Sequence, residues 1–259
     1  MNARITTATL LLPLVFIALA GCSKKNHDTP GNGCDGRFPT TVTSTYYTPP
    51  TIISYQYDGN NRLSRVTYNQ ADTTYFTYEP NKITRINIRN GKKDSKELIE
   101  YNSQRLITKV TLRDVNDDGS ENLNSGYIET YEYNDTIVIR SSITFVGVSA
   151  PFLSTYQWAD GNLIKQTETQ NGKVSSTKIY TYYDQPVRQG DELVNEDFNS
   201  YGNTAGTIRN KSLVKSRSGA PNTPESYIYG FDDTGRVVSN SITRDGYRTF
   251  VLLYNYTCR

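Results

Sequence analysis

YQYDGNNRLSRV, residues 55–66, has two aromatic side chains two residues apart, then a polar turn and an aliphatic start to the next run. The layout recurs along the chain as FTYEPNKITRI, IEYNSQRLITKV, YEYNDTIVI, YQWADGNLIKQ, YTYYDQPV and YGFDDTGRVV. Its second aromatic residue returns after 21 residues, from Tyr57 to Tyr78, and after 32, from Tyr101 to Tyr133. These steps are too short for a strand–helix–strand crossover, and they fit one hairpin per repeat.

The composition of the repeats favours strands. Thr, Tyr, Val and Ile dominate, and the aromatic spacing of two places Tyr55 and Tyr57 on one face of a strand. Hairpin tips are predicted at dipeptides that tolerate positive φ, namely Asp58-Gly59, Asn90-Gly91, Asp160-Gly161, Asn171-Gly172 and Asp245-Gly246. About 14–16 strands result, more than an open sheet carries without curling. The sequence predicts an all-β fold, a single antiparallel up-and-down meander that is strongly curved or closed into a barrel, with the Tyr-rich face inward.

One segment interrupts the strand pattern. Residues 184–208 read DQPVRQGDELVNEDFNSYGNTAGTI, in which Leu193, Val194, Phe198 and Tyr201 are spaced like one face of a short helix. We predict a short non-strand or helical insert that covers an open end of the barrel and does not link two domains.

The outward positions of the predicted strands are polar. The runs KITRINIRN and VTLRD place Thr, Lys and Arg there, and the mean hydropathy of the chain is −0.62. A strand that faces lipid needs an apolar outer face about nine residues long. We therefore expect a soluble barrel domain and not a membrane-spanning one.

The N-terminal residues predict export and a lipid anchor. Arg4 precedes an apolar run, Leu10 to Leu19, whose length suits the core of a secretory signal and is too short for a transmembrane helix. The run leads into Leu-Ala-Gly-Cys22, which resembles a bacterial lipobox, where the Cys thiol takes a diacylglycerol. The alternative is an ordinary signal peptide followed by a chance Cys.

These features divide the chain into a signal peptide (1–21), a flexible tether (22–44) rich in Gly, Pro, Asn and charge, and a repeat domain (45–259). The lipid would hold the protein in the cell envelope, on the outer membrane, with the periplasmic and surface sides both open. Cys34 and Cys258 form an even pair in an exported chain, so the sequence allows either a disulfide between the domain ends or two separate thiols.

Charge argues against one class of partner. Lys and Arg total 28 against 26 Asp and Glu, so the formal net charge is only +2, and no basic block occurs. Nucleic-acid binding depends largely on neutralising phosphates, so we expect no nucleic-acid partner.

The order of several motifs resembles known families. YQYDGNNRL at residues 55–63 is similar to the YD repeats of Rhs-type proteins. From about residue 45 onward, the chain resembles more closely a family of Gram-negative lipoproteins described as a domain of unknown function with a porin-like fold. The shared elements are the YxYD hairpins, a non-strand insert, WADGNL (158–163), KSLVKS (211–216) and a closing YNY (254–256). The resemblance implies a porin-like barrel with a lipid anchor, and it supplies no catalytic residues.

The sequence offers few groups for catalysis. Its one His, His27, lies in the predicted tether, whereas Ser- and Cys-based catalysis and zinc sites usually need a His in the folded domain. A hydrolase with paired carboxylates stays open, because the sequence does not reveal which Asp and Glu lie together. We expect a non-enzyme with no cofactor other than calcium.

Asp114, Asn116 and Asp118 form the candidate calcium site. The run DVNDDG has the D-x-N-x-D-G spacing that lets three side chains converge on Ca²⁺ while Gly makes the turn. Ser125 stands where an EF-hand has its bidentate Glu, which excludes an EF-hand. Either a calcium loop on a hairpin or a solvated hairpin tip is compatible with the sequence.

Tyr131, Tyr133, Tyr156 and Trp158 are the candidate ligand-binding residues. On an inward aromatic face they could stack a sugar ring or another flat polar molecule, or they could fill the barrel. The sequence favours a lipid-anchored, non-enzymatic binding module for a glycan or another small polar ligand. The alternatives are a structural lipoprotein that contacts an envelope protein and binds no small ligand, and a carboxylate-dependent hydrolase.

Overall fold

The computed structural model describes residues 38–188, 210–221, 223–245 and 249–256. In these residues 16 antiparallel strands follow one another around a closed barrel, and β1 completes it by pairing with β16. The predicted all-β meander and its closure are confirmed. The strands are β1 (Thr41–Ser44), β2 (Thr51–Tyr57), β3 (Leu63–Tyr68), β4 (Asp72–Glu79), β5 (Lys82–Arg89), β6 (Lys92–Tyr101), β7 (Ile107–Val115), β8 (Glu121–Asn134), β9 (Ile137–Phe145), β10 (Phe152–Ala159), β11 (Asn162–Gln170), β12 (Lys173–Pro186), β13 (Ser212–Ser218), β14 (Glu225–Phe231), β15 (Val237–Arg244) and β16 (Phe250–Asn255).

Several predicted features lie outside the described residues: the signal peptide, Cys22, Cys34, Cys258 and most of the insert. The first residues assigned to the insert, 184–186, continue β12. In the part of the chain that is described, the structure contains no helix with the length and apolar character needed to cross a membrane.

The first strand, β1, lies in the last four residues of the segment that the sequence predicts as tether. It pairs on one side with β16, from Thr41 opposite Asn255, and on the other side with β2. Its single aliphatic residue, Val42, is 3% exposed and faces the interior. One aliphatic residue in four gives no periodic signal, so the strand is specified by its two neighbours rather than by its own pattern.

Three of the predicted hairpin tips have positive φ at both positions, as a two-residue turn requires. They are Asn90-Gly91 (50° and 76°), Asp160-Gly161 (52° and 80°) and Asn171-Gly172 (52° and 72°). The prediction is wrong at Asp58-Gly59, where the residue with positive φ is Asn61. Gly246 lies outside the described residues.

The Asp58 turn differs because the carboxylate closes a longer loop. Its Oδ1 accepts hydrogen bonds from the backbone N–H groups of Asn60 and Arg62, both at 2.9 Å. Its Oδ2 accepts a hydrogen bond from Nε of Arg62 at 2.7 Å and lies 2.7 Å from Nη2 of the same guanidinium, so the two side chains form an ion pair. The guanidinium in turn lies 4.3 Å from the ring centroid of Tyr78 on β4. Burial opposes ionisation of Asp58, but the hydrogen bonds from Arg62 and Asn60 outweigh it and lower the pKa of the carboxyl group.

The same arrangement recurs between β14 and β15. Asp232 accepts from the backbone of Thr234 and Arg236 at 2.9 and 3.0 Å, and Arg236 pairs with its Oδ2 and lies 4.8 Å from the ring of Tyr256. Asn102 closes the turn after β6 with its side-chain oxygen. The Asp of the Y-x-Y-D motif is therefore a turn-closing residue, and the Arg four residues later links the turn to the next aromatic strand.

An apolar ring lies just inside these turns. It consists of the aliphatic residues at or next to the starts of the return strands, each at most 2% exposed: Leu63, Ile83, Ile107, Val138, Leu163 and Val237. Full burial of such a side chain contributes about 1.5–3 kcal/mol. The aliphatic position of the repeat thus supplies the core at this end of the barrel.

The turn contacts predict the effect of replacing Asp58. Asp58→Ala leaves two backbone N–H groups and Arg62 without their acceptor, so the free energy of unfolding should fall by about 1–2 kcal/mol in urea titration. Asp58→Asn keeps the Oδ1 acceptor and loses only the ion pair, so its loss should be smaller. Because the pKa of Asp58 is lowered, its contribution is complete above the ordinary value of 3.8 and is lost as the pH falls below it. Equal stability of Asp58→Ala and the wild type at pH 7 would contradict this role.

Candidate functional site

Seven inward aromatic residues form what we call the aromatic belt: Tyr57, Tyr78, Tyr133, Trp158, Tyr182, Tyr229 and Tyr256. Each donates its hydroxyl or indole N–H to a backbone carbonyl of the barrel wall. The acceptors are, in the same order, Pro39, Leu63, Ile107, Val138, Leu163, Val214 and Val237. The polar ends of the belt residues therefore point into the wall.

Strand stagger explains why these carbonyls need a side-chain donor. The residues of β9 that pair with β10 extend from Ile143 back to Arg140, which lies opposite Thr155. Val138, at the start of β9, lies two residues beyond this end of the pairing. The Val138 carbonyl consequently has no ladder partner on β10, and the indole N–H of Trp158 reaches it at 2.8 Å. The same offset occurs where β3 meets β4, β7 meets β8, β11 meets β12, β13 meets β14 and β15 meets β16. A buried carbonyl without a partner is costly, so the belt stabilises the strand starts.

The structure brings together the four residues predicted to bind a ligand. Tyr131 and Tyr133 lie on β8, and Tyr156 and Trp158 lie on β10, so the two pairs flank β9 on the inner wall. The Tyr156 hydroxyl lies 3.0 Å from Oγ of Ser141 on β9. Because the polar ends of Tyr133 and Trp158 donate to the wall, only the ring faces of these two residues are left for contact with a ligand. Binding through these residues stays a prediction.

Beyond the belt, the inner face carries charged side chains, which we call the charged layer: Arg85, Glu97, Glu129, Glu168, Lys178, Arg217, Glu225 and Arg244. Their inward orientation follows from strand alternation, since Glu97 lies two residues before the fully buried Ile99 on β6. Charges removed from water need partners, and the layer supplies them across neighbouring strands.

Glu97 is the most deeply buried carboxylate of the layer, with 2% exposure. It lies 3.2 Å from Nη1 of Arg85 on β5 and accepts a hydrogen bond from the hydroxyl of Tyr127 at 3.3 Å. Burial raises the pKa of Glu97, with a smaller rise from the charge of Glu129, and together these effects outweigh the lowering by Arg85 and Tyr127. Glu97 is thus held in a setting that favours its protonated form more than water does.

Two further groups complete the layer. Glu168 lies 3.8 Å from Nζ of Lys178 and accepts a hydrogen bond from Gln166 at 3.2 Å. Glu225 has two cationic partners, Arg217 at 2.8 Å and Arg244. Seven of the eight residues of the charged layer, all except Glu129, thus lie in the cross-strand ion pairs described here.

Aromatic rings lie beside the charged layer. The ring of Tyr127, whose hydroxyl contacts Glu97, meets Phe145 edge-on at 5.7 Å, and Phe145 meets Phe152 in the same way at 5.7 Å. Phe145 is 39% exposed. Rings next to carboxylates and guanidiniums offer flat apolar faces and hydrogen-bonding groups side by side.

The candidate calcium residues lie around the turn between β7 and β8. The carboxylate of Asp118 accepts hydrogen bonds from the N–H and hydroxyl of Ser120, which lower the pKa of Asp118, and the Asn116 amide donates to the same hydroxyl. Asp114 lies on β7 opposite Asn122. Among the described residues no group of three or more His, Cys, Asp or Glu side chains is arranged to hold a metal ion. Calcium binding here stays a prediction.

Sequence reasoning missed the charged layer. On β6 the period of two places Ser95, Glu97 and Ile99 on one face, so a charge at a core-facing position was visible. Its partner Arg85 is identifiable only from the register of β5 against β6, which pairs these two residues directly.

The belt predicts the effect of removing one hydroxyl. Tyr78→Phe leaves the Leu63 carbonyl without its donor, so the free energy of unfolding should fall by about 0.5–1.5 kcal/mol. Tyr75→Phe is the matched control on the same strand, because Tyr75 faces outward and is 41% exposed. Urea titration should find the control unchanged. Equal losses in both variants would refute a specific role for the belt bond.

Glu97 predicts a pH dependence of stability. Its pKa in the folded state is raised above the ordinary value of 4.5, so its contribution is complete below that value and is lost as the pH rises through the folded-state pKa. The free energy of unfolding of Glu97→Gln minus that of the wild type should therefore be larger at pH 7 than at pH 4, so the variant gains relative stability as the pH rises. Glu100→Gln, an outward change on the same strand, is the control. A relative stability of Glu97→Gln that falls between pH 4 and pH 7 would reverse the sign argued here.

Solved structures share this fold. A porin-like protein from Bacteroides uniformis is similar with a TM-score of 0.59 and 14% sequence identity, over 84% of this chain and 97% of that chain. A porin-like protein from Bacteroides vulgatus is similar with a TM-score of 0.60 and 14% identity, over 85% of this chain and 98% of that chain. No protein-family model and no curated protein sequence matches the chain. The comparison establishes the fold, a porin-like barrel.

Proposed function

We propose that the protein is a lipid-anchored, non-enzymatic binding module of the bacterial cell envelope, on the outer membrane, whose barrel interior takes up a glycan or another small polar ligand. The observation that carries the proposal is the charged layer with its neighbouring aromatic rings on the inner face of the barrel. The anchor and the ligand are supported by different parts of the chain, and they are tested separately.

The anchor rests on the N-terminal sequence. An apolar run from Leu10 to Leu19 leads into Leu-Ala-Gly-Cys22, the order expected of a lipoprotein signal. The likeness to lipoproteins with a porin-like fold, read from the order of the hairpin motifs, agrees with this. A diacylglycerol on Cys22 would bind the protein to the membrane while the barrel stays in water.

The outer face of the barrel supports an aqueous setting. Oppositely charged residues contact each other at outward positions of the barrel wall. Glu100 lies 3.4 Å from Lys109 and Glu132 lies 3.8 Å from Arg140, each on the adjoining strand, and Lys96 on β6 reaches across β7 to Glu121 on β8 at 2.7 Å. Charged side chains at such positions would be costly against lipid tails. These ion pairs support the proposal that this porin-like barrel faces water.

The ligand class follows from the chemistry of the interior. Carboxylates, guanidiniums and hydroxyls supply hydrogen-bond donors and acceptors, and the Tyr127, Phe145 and Phe152 rings supply flat apolar faces. Sugars combine these two needs, since they carry hydroxyls around the ring and apolar C–H faces. A purely apolar guest would displace water from the charges of the layer without offering them a hydrogen-bond partner in return.

The ligand is tested with the mature lipidated protein in detergent. The fluorescence of Trp158, the single Trp of the chain, should change with glycans of an envelope-derived panel. Tyr127→Ala should weaken that response several-fold, because it removes a ring and a hydroxyl beside Glu97. Tyr75→Ala on the outer face is the control and should leave it unchanged. Cys22→Ala should move the protein from the membrane fraction to the soluble one.

Two results would redirect the proposal. A silent panel together with stoichiometric capture of one envelope protein would favour a structural lipoprotein. Release of sugar that is abolished by a single Asp or Glu substitution would identify a carboxylate-dependent hydrolase.

A further inference from the structure

Two cationic groups of the charged layer share one carboxylate. Glu225 is 5% exposed, and its Oε2 lies 2.8 Å from Nη2 of Arg217 and accepts a hydrogen bond from the Tyr227 hydroxyl at 2.6 Å. Its other oxygen, Oε1, accepts Nε–H of Arg244. Both oxygens are thus engaged, and the two guanidiniums carry one more positive charge than the carboxylate neutralises.

Aromatic rings hold the Arg244 guanidinium in place. Its Cζ lies 5.8 Å from the ring centroid of Tyr46 and 5.5 Å from that of Phe250, and the two rings meet edge-on at 5.0 Å. Cation–π contacts of this kind fix the plane of the guanidinium without using its N–H groups. The Arg244 side chain is therefore held in one orientation in the absence of a ligand.

The outer N–H groups of Arg244 remain available. The side chain is 35% exposed, and within the described ranges no acceptor contacts Nη1 or Nη2. Arg217, by contrast, is 13% exposed and lies deeper in the wall. Arg244 therefore combines a fixed orientation with donors that face solvent at the end of the barrel near the turn between β15 and β16.

Glu225 is the carboxylate that Arg244 contacts in the described part of the wall. Asp245 is exposed in the turn that follows and makes no ion pair within the described ranges. Glu168, another carboxylate of the charged layer, forms its ion pair with Lys178 on β12. The inward residues of β16 nearest to Arg244, Phe250 and Leu252, are apolar. Arg244 therefore shares its contacting carboxylate with a second guanidinium, that of Arg217, and has apolar neighbours on β16.

We propose that Arg244, supported by Arg217, is a binding site for the negatively charged group of a ligand, a carboxylate or a phosphate, at this end of the barrel. A guanidinium presents two parallel N–H donors that match the oxygens of either group. The inference rests on the proposed function and narrows it from polar ligands to acidic ones, for which an acidic sugar is the simplest example.

The test measures binding of simple probes to the full mature protein by titration calorimetry. Glucuronate supplies a carboxylate on a sugar, inorganic phosphate supplies the tetrahedral anion, and glucose is the neutral counterpart of glucuronate. We expect glucuronate, phosphate or both to bind the wild type, and Arg244→Gln to weaken that binding about tenfold or more. Arg140→Gln, an outward Arg that also has a Glu partner, should bind as the wild type does.

Arg244→Gln should fold, because Glu225 keeps Arg217 and Tyr227 as partners. Arg244→Lys is a second variant that retains the charge and loses the paired donors, so its affinity should fall between those of the wild type and Arg244→Gln. Equal anion binding by the wild type and Arg244→Gln, or no binding of either anion, would overturn the inference. Neutral glycans that bind the wild type and Arg244→Gln alike, with no response to either anion, would leave the proposed function standing and reject this site.

Discussion

The barrel depends on hydrogen bonds that aromatic side chains donate to backbone carbonyls at the starts of strands. A closed barrel requires each strand to be offset against the next, and the offset removes ladder partners at strand ends. Here the lost partner is replaced from the next strand by a side chain that is long, rigid and ends in a donor. Tyr meets this need at six positions and Trp158 at one, which gives a structural reason for six of the 21 Tyr of the chain and for its single Trp.

This use of the aromatic residues shapes the rest of the interior. The belt residues direct their polar ends into the wall, so the donors and acceptors that a ligand could meet come mainly from the charged layer. Buried ion pairs are specific rather than strongly stabilising, since desolvation offsets most of their attraction. A layer of this kind can exchange some of its contacts for those of a guest without a large loss of stability.

Much of the fold is predictable because the repeat is local. Tyr55, Tyr57, Asp58 and Leu63 each have a role within one hairpin, and a hairpin can be recognised from adjacent residues. The features that escaped prediction depend on strands distant in sequence. Val42 faces inward because β1 is placed by its pairing with β16 and β2. Glu97 and Arg85 lie opposite each other only because of the register of β5 against β6.

The candidate site divides in the same way. The sequence correctly grouped Tyr131, Tyr133, Tyr156 and Trp158 on one face, because period two governs neighbours on a strand. It could not distinguish rings that serve the wall from rings that face the lumen, since that depends on strand offset. Arg244 was missed altogether, because its surplus charge appears only when Arg217 and Glu225 are placed beside it.

Closure by β1 has a consequence for the order of assembly. Thr40 and Asn255, which meet at the seam, are 215 residues apart in the chain. During synthesis from the N-terminus, β1 is made first and must wait for the last strand, so every earlier intermediate is an open sheet with two unpaired edges. The seam between β1 and β16 is then the last contact to form. The four-residue strand β1 therefore closes the barrel, and because it is short, it exposes few unpaired backbone groups until β16 is available for pairing.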